Sequence, residues 1–138
     1  MSTQWIPVAL RCEVQRRAAG CCEYCQVHED DVGVPHEPDH IVAEQHRGQT
    51  SLDNLAFACF HCNRHKGTNL ASIDPETGRP ALLFHPRRDV WSDHFRIDGA
   101  LITPLTPSGR ATAALLKFNT AERLESRNTL VQAGRYPV

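Results

Sequence analysis

The chain has 138 residues, 41% of them apolar and 22% charged, the proportions of one compact folding unit and not of a disordered or fibrous polymer. Fifteen Lys and Arg stand against sixteen Asp and Glu for a net charge of −1, so any grip on a polyanion has to come from a local patch or a bound cation. No run approaches the roughly 18 apolar residues of a membrane span, and the start MSTQWIPVALRCEVQRR lacks the apolar core of a secretory signal, so we expect a cytoplasmic protein with no membrane partner whose six cysteines serve metal rather than disulfides.

Pro7, then Val8, Leu10, Val14 and Ala18 at helical spacing, with Gly20 as a stop, predict a helix over about 7–19 that packs on a core. CCEYC comes next, then the acidic stretch VHEDDVGVPHEPDH. Two short apolar runs, 39–43 and 55–60, are separated by turn residues around 47–50 and predict a hairpin. DPETGRP reads as turn chemistry connecting parts of a single domain, 1–138, with its metal-rich core at about 20–70 and an extension over 74–138. In the extension we expect one or two strands over 94–105, a helix capped by Thr106 or Ser108, and a last helix over about 120–133 closed by Gly134. The fold class is therefore α+β.

Cys22 and Cys25 make one CxxC, Cys59 and Cys62 a second, with 33 residues between the inner two. A two-residue gap lets both thiolates of a knuckle face one ion, and two knuckles complete the closed tetrahedral set of structural Zn²⁺, which leaves no open position for chemistry. Cys21 could replace Cys22, and His61 or His65 could compete with the second pair. Cys12 and Cys21 otherwise fit the role of small buried side chains. The enclosed loop is longer than a zinc ribbon needs, so it should hold something else.

It holds Asp39-His40-Ile41-Val42 and Asn54-Leu55, and Asn63 directly follows the last cysteine. Neighbours on an extended segment point to opposite faces, so Asp39 can bind a cation while His40 addresses a water. A neutral imidazole takes a proton from water near pH 7, and a hard cation such as Mg²⁺ or Mn²⁺ takes a carboxylate and an amide oxygen, here Asp39 and Asn63. If Cys62 begins a helix, Asn63 lies about 100° further round it, held beside the zinc but directed away from it. Lys66 shares that face, and with Arg64, His65 and Arg47 it is a candidate contact for nucleic-acid phosphate.

Together CEYC, DHIV, NLAFAC and CNRHKG resemble the HNH endonucleases, ββα-metal nucleases of the subtype with two zinc-binding CxxC pairs. The resemblance is firm over 22–67, while SIDPETG and LFHPRRDVWSDHF resemble the segment C-terminal to the motif in many short bacterial members. It implies a zinc-stapled hairpin plus helix, flanked here by an N-terminal helix and C-terminal strands and helices. It further implies His40 as general base, Asp39 and Asn63 as ligands of a catalytic divalent ion, and Asn54 as the residue that orients the site, with His65 as the fallback for Asn63. The implied substrate is nucleic acid, chiefly double-stranded DNA, cut to 5′-phosphate and 3′-hydroxyl ends. Two departures stand out: Ala43 where members often have Pro, and a single glycine, Gly48, before the Asn. They imply a differently shaped approach to the site, while the near-neutral charge points to a homodimer or protein partner that supplies grip. The alternative from the residues alone is a zinc-stabilised module that binds nucleic acid or protein without cutting.

Overall fold

The computed structural model describes residues 5–138. Pro7 caps helix α1, Val8–Arg17, from outside with a φ of −56°, and the chain leaves the helix through Gly20 at φ +76°. One face of α1 buries Val14 against Ile6, Leu55 and Phe57. Strands β1, Glu37–His40, and β2, Leu55–Ala58, pair antiparallel with Asp39 opposite Ala56 and His40 opposite Leu55. β1 lies earlier than the apolar run suggests and stops at His40: Ile41 still donates to the Asn54 carbonyl, but the Asn54 amide donates to the Ser51 carbonyl and does not return the bond.

Every side chain of β2 is buried. Leu55 and Phe57 face α1, while Ala56 and Ala58 join the larger cluster that contains the four cysteines. The period of two sorts them onto opposite faces, and both faces are covered, which is why the run reads as continuously apolar. Helix α2, Phe60–Lys66, follows at once, with Cys59 as its cap and its Sγ accepting from the Cys62 amide at 3.4 Å. The helix thus starts two residues before Cys62, so Cys62 and Asn63 both lie within it.

DPETGRP is the turn of a hairpin whose strands, β3 (Ala71–Ile73) and β4 (Pro80–Leu82), are too short and too exposed to have announced themselves. Asp74 organises that turn: fully buried, it accepts from the Glu76 amide, the Thr77 hydroxyl and two nitrogens of Arg110 at 2.9–3.0 Å. The single turn α3, Trp91–His94, leads into strands β5 (Phe95–Asp98) and β6 (Leu101–Pro104), which pair antiparallel. Helices α4, Pro107–Leu115, and α5, Ala121–Gln132, start on Thr106 and Thr120, whose hydroxyls accept from Gly109 and Arg123 amides; Thr106 is one of the two caps expected for α4.

Among the described residues the architecture is mixed α+β, five α-helices with three antiparallel strand pairs. The extension is not an appendage. Phe84, Phe95, Ile102, Leu116, Phe118 and Tyr136 share one buried cluster with the four cysteines. Phe95 meets Phe84 and Phe118 at ring-centroid distances of 5.5 and 5.6 Å, tilted as aromatic quadrupoles prefer. No helix among the described residues is long and apolar enough to cross a membrane.

Candidate metal and active site

Two tight turns bring the cysteines together. The Cys25 amide donates to Cys22 Sγ at 3.4 Å, matching the Cys62 amide on Cys59 Sγ, so each CxxC forms the same knuckle. All four sulfurs lie within 4.8 Å of one another, and Cys25 Sγ stands 3.7 Å from Cys59 Sγ. Zn–S bonds of about 2.3 Å in a tetrahedron require sulfurs about 3.8 Å apart, so the cluster fits structural zinc. Burial pushes the Cys22 and Cys62 thiols well up, whereas hydrogen bonds from neighbouring thiols, Cys22 first, hold Cys25 well down. Four thiolates share that volume only with a cation to neutralise them. Cys21, His61 and His65 stay outside the cluster. Cys12 is exposed on α1 and Cys21 half-buried, so the burial expected of both is corrected: Cys12 falls on the outward face of the helix, away from Val14.

The segment between the knuckles places Asp39 and His40 at the end of β1, 2% and 1% exposed. His40 Nε2 lies 2.9 Å from Thr50 Oγ1, while its Nδ1 is buried without a partner. If Nε2 carries the proton and donates to Thr50, Nδ1 keeps a free lone pair. Burial lowers the imidazole below its ordinary value and so favours the neutral ring.

Asn54 ties the loop between the strands into one piece. Its Oδ1 accepts from the Val42 amide at 2.9 Å, and its Nδ2 donates to the Val42 and Gln49 carbonyls at 3.0 and 2.8 Å. Gly48 is pressed so close that a Cβ there would lie 1.6 Å from the Val42 oxygen. Asn54 thus orients the loop that carries Thr50, the partner of His40, and its carbonyl accepts from the Ile41 amide beside His40.

Asn63, inside α2, has a buried Oδ1 with no hydrogen-bond partner, and the buried Asp39 Oδ2 faces Lys66 Nζ. Buried polar atoms in native proteins are nearly always paired, so an exception calls for an explanation. Two of those among the described residues are His40 Nδ1 and Asn63 Oδ1, on residues singled out for a water and a cation. A carboxylate and an amide oxygen are the donors a hard divalent ion takes.

Lys66 was expected at the surface as a phosphate contact, but it is 2% exposed. Its Nζ lies 3.0 Å from Asp39 Oδ2 and donates to the His40 carbonyl at 3.1 Å. Among the described residues Lys66 is the cation paired with this desolvated strand carboxylate, and that pairing draws the lysine inward. Burial still dominates and pushes the Asp39 carboxyl up, with Lys66 opposing it. Arg47 and Arg64 are exposed and His65 half-buried, Arg47 in the left-handed conformation at φ +68° beyond a short turn. Burial and then the cations Lys117 and Arg123 hold His65 below its ordinary value. Thr50, and Lys66 as a partner of Asp39, carry no local signal in the sequence, since both reach their partners only through the folded loop and helix.

Residues 22–69 match the family model described as HNH endonuclease. That span contains both knuckles, Asp39, His40, Thr50, Asn54, Asn63 and Lys66, and the similarity points to a nuclease or nucleic-acid-binding function. No curated protein and no solved structure matches the chain.

Proposed function

We propose that the chain is a metal-dependent endonuclease that hydrolyses DNA phosphodiester bonds, with His40 as general base and Asp39 and Asn63 holding one Mg²⁺, Mn²⁺ or similar ion. The observation that carries the reading is the pair of partnerless buried atoms His40 Nδ1 and Asn63 Oδ1 in the HNH-like segment that also holds the buried Asp39 carboxylate, whose Oδ2 faces Lys66 Nζ. A bound divalent ion would stabilise charge on the phosphoryl and leaving oxygens. The Thr50 hydroxyl holds the His40 ring by Nε2, so Nδ1 receives the proton of the attacking water. Lys66 keeps the Asp39 carboxylate in position and balances its charge. Arg47, Arg64 and His65 are proposed as backbone phosphate contacts, and a second copy or a protein partner would add the grip that a net charge of −1 does not supply.

The Asp39–Lys66 pair favours a second reading, in which the ammonium replaces the divalent ion and the segment binds nucleic acid without cutting it. Supercoiled plasmid incubated with zinc-loaded protein and Mg²⁺ or Mn²⁺ separates the two. The nuclease reading expects nicking that EDTA prevents and that Asn63→Ala abolishes. Plasmid left intact with every metal, while it is still retarded in a gel by the same protein, establishes the binding module instead.

A further inference from the structure

Arg123, on the first turn of α5, is 8% exposed although no carboxylate pairs with it among the described residues. Its Nη2 donates to Cys62 Sγ at 3.3 Å and reaches Cys59 Sγ at 3.8 Å. Its Nη1 donates to the Leu116 and Lys117 carbonyls at 2.7 and 3.2 Å, and the guanidinium lies 5.9 Å from the Phe118 ring centroid. The fork is therefore clamped on one side by backbone and presents its other side to sulfur. Arg123 also stands with Cys25, Cys59, Val32, Phe60 and Leu130 in the wall of a cleft of about 490 Å³.

Four thiolates around Zn²⁺ carry a net charge of −2, which is costly in a buried cluster. Arg123 is the one side-chain cation bonded to the sulfurs among the described residues. A buried guanidinium held otherwise only by carbonyls and a ring needs an anion just as much. We propose that Arg123 is a positioning residue for the structural zinc, an outer partner of the Cys62 and Cys59 thiolates that couples metal retention to docking of the C-terminal helix. The coupling is reciprocal: whatever α5 docking adds to zinc affinity, zinc adds to α5 docking. Tyr136 anchors the chain after α5 to the other knuckle through the Cys25 carbonyl at 2.9 Å, without touching a sulfur. The proposal stands whether or not the chain cuts nucleic acid.

The test compares wild type, Arg123→Met, Arg123→Lys and Tyr136→Phe, each loaded with Zn²⁺ and titrated with a chromophoric chelator, and each loaded with Co²⁺ for its absorption spectrum. Outer partners of metal ligands are typically worth 10- to 100-fold in affinity, so Arg123→Met should lose zinc at least about 10-fold more readily. Removing a donor from the thiolates raises the energy of their electrons, so its sulfur-to-cobalt charge-transfer band should move to longer wavelength. Arg123→Lys should restore part of both effects, and Tyr136→Phe should leave the band in place. Unchanged affinity in Arg123→Met, or a weakened site whose band has not moved, overturns the proposal. Should Arg123→Met not fold, Arg123→Lys decides by the same two readings, because one ammonium cannot hold both the carbonyls and the sulfurs.

Discussion

Lys66→Met removes the ammonium beside Asp39 and keeps most of the side-chain volume. Asp39 and Lys66 are both 2% exposed, so the variant leaves an unpaired carboxylate in the interior. Breaking a buried pair from one side costs about 3–5 kcal/mol. Losing the ammonium therefore pushes further up a carboxyl that burial already raises. The folded form then holds a proton that the unfolded chain releases near its ordinary value of about 3.9. The penalty is therefore absent below that value, grows as pH rises, and levels off above the folded value. It amounts to at most about 2 kcal/mol at pH 5.5, against the full cost at pH 8. At roughly 3 °C per kcal/mol, thermal melts of the zinc-loaded variant should fall by about 6 °C or less at pH 5.5 and about 10–15 °C at pH 8. Added Mg²⁺ or Mn²⁺ should recover part of the loss at pH 8, since a cation at Asp39 and Asn63 supplies the missing charge. A loss equal at both pH values, or no loss at all, refutes this electrostatic coupling.

Thr50→Val removes the partner of His40 Nε2 and should lower single-turnover cleavage about 10-fold with zinc content unchanged, the low end of what a positioned acid or base contributes. Because burial lowers the His40 imidazole, the acid limb of the cleavage rate should fall below pH 6.5; a half-maximum above pH 7 would contradict that assignment. Gly48→Ala drives a methyl into the Val42 carbonyl and against Asn54 Nδ2, so melting temperature and cleavage should drop together while the cysteines still bind zinc in a chelator titration.

Legibility in the sequence depends on the range of each signal. The CxxC pairs, the Thr106 cap of α4 and the Pro7–Gly20 bounds of α1 are local patterns with a local physical cause, and the structure has them where the patterns lie. β3 and β4 were read only through their turn, because three-residue strands with exposed side chains bury too little to impose a period. Lys66 was misplaced because its neighbour in space, Asp39, is 27 positions away and the helix face alone does not say what packs on it. Arg123 offered nothing beyond a charged residue in a predicted helix. Its meaning comes from the thiolates that the fold sets beside it. The sequence points to Asp39, His40 and Asn63 as residues, but that His40 Nδ1 and Asn63 Oδ1 are buried and unpaired is a property of packing.

The central claim is that His40 takes the proton from water, and it is tested most directly by plasmid cleavage with zinc-loaded His40→Ala beside wild type in Mg²⁺ or Mn²⁺. Nicking by wild type that vanishes in His40→Ala, with zinc stoichiometry and melting temperature retained, is the predicted result. Cleavage by His40→Ala at the wild-type rate would contradict the account and move the base to another residue.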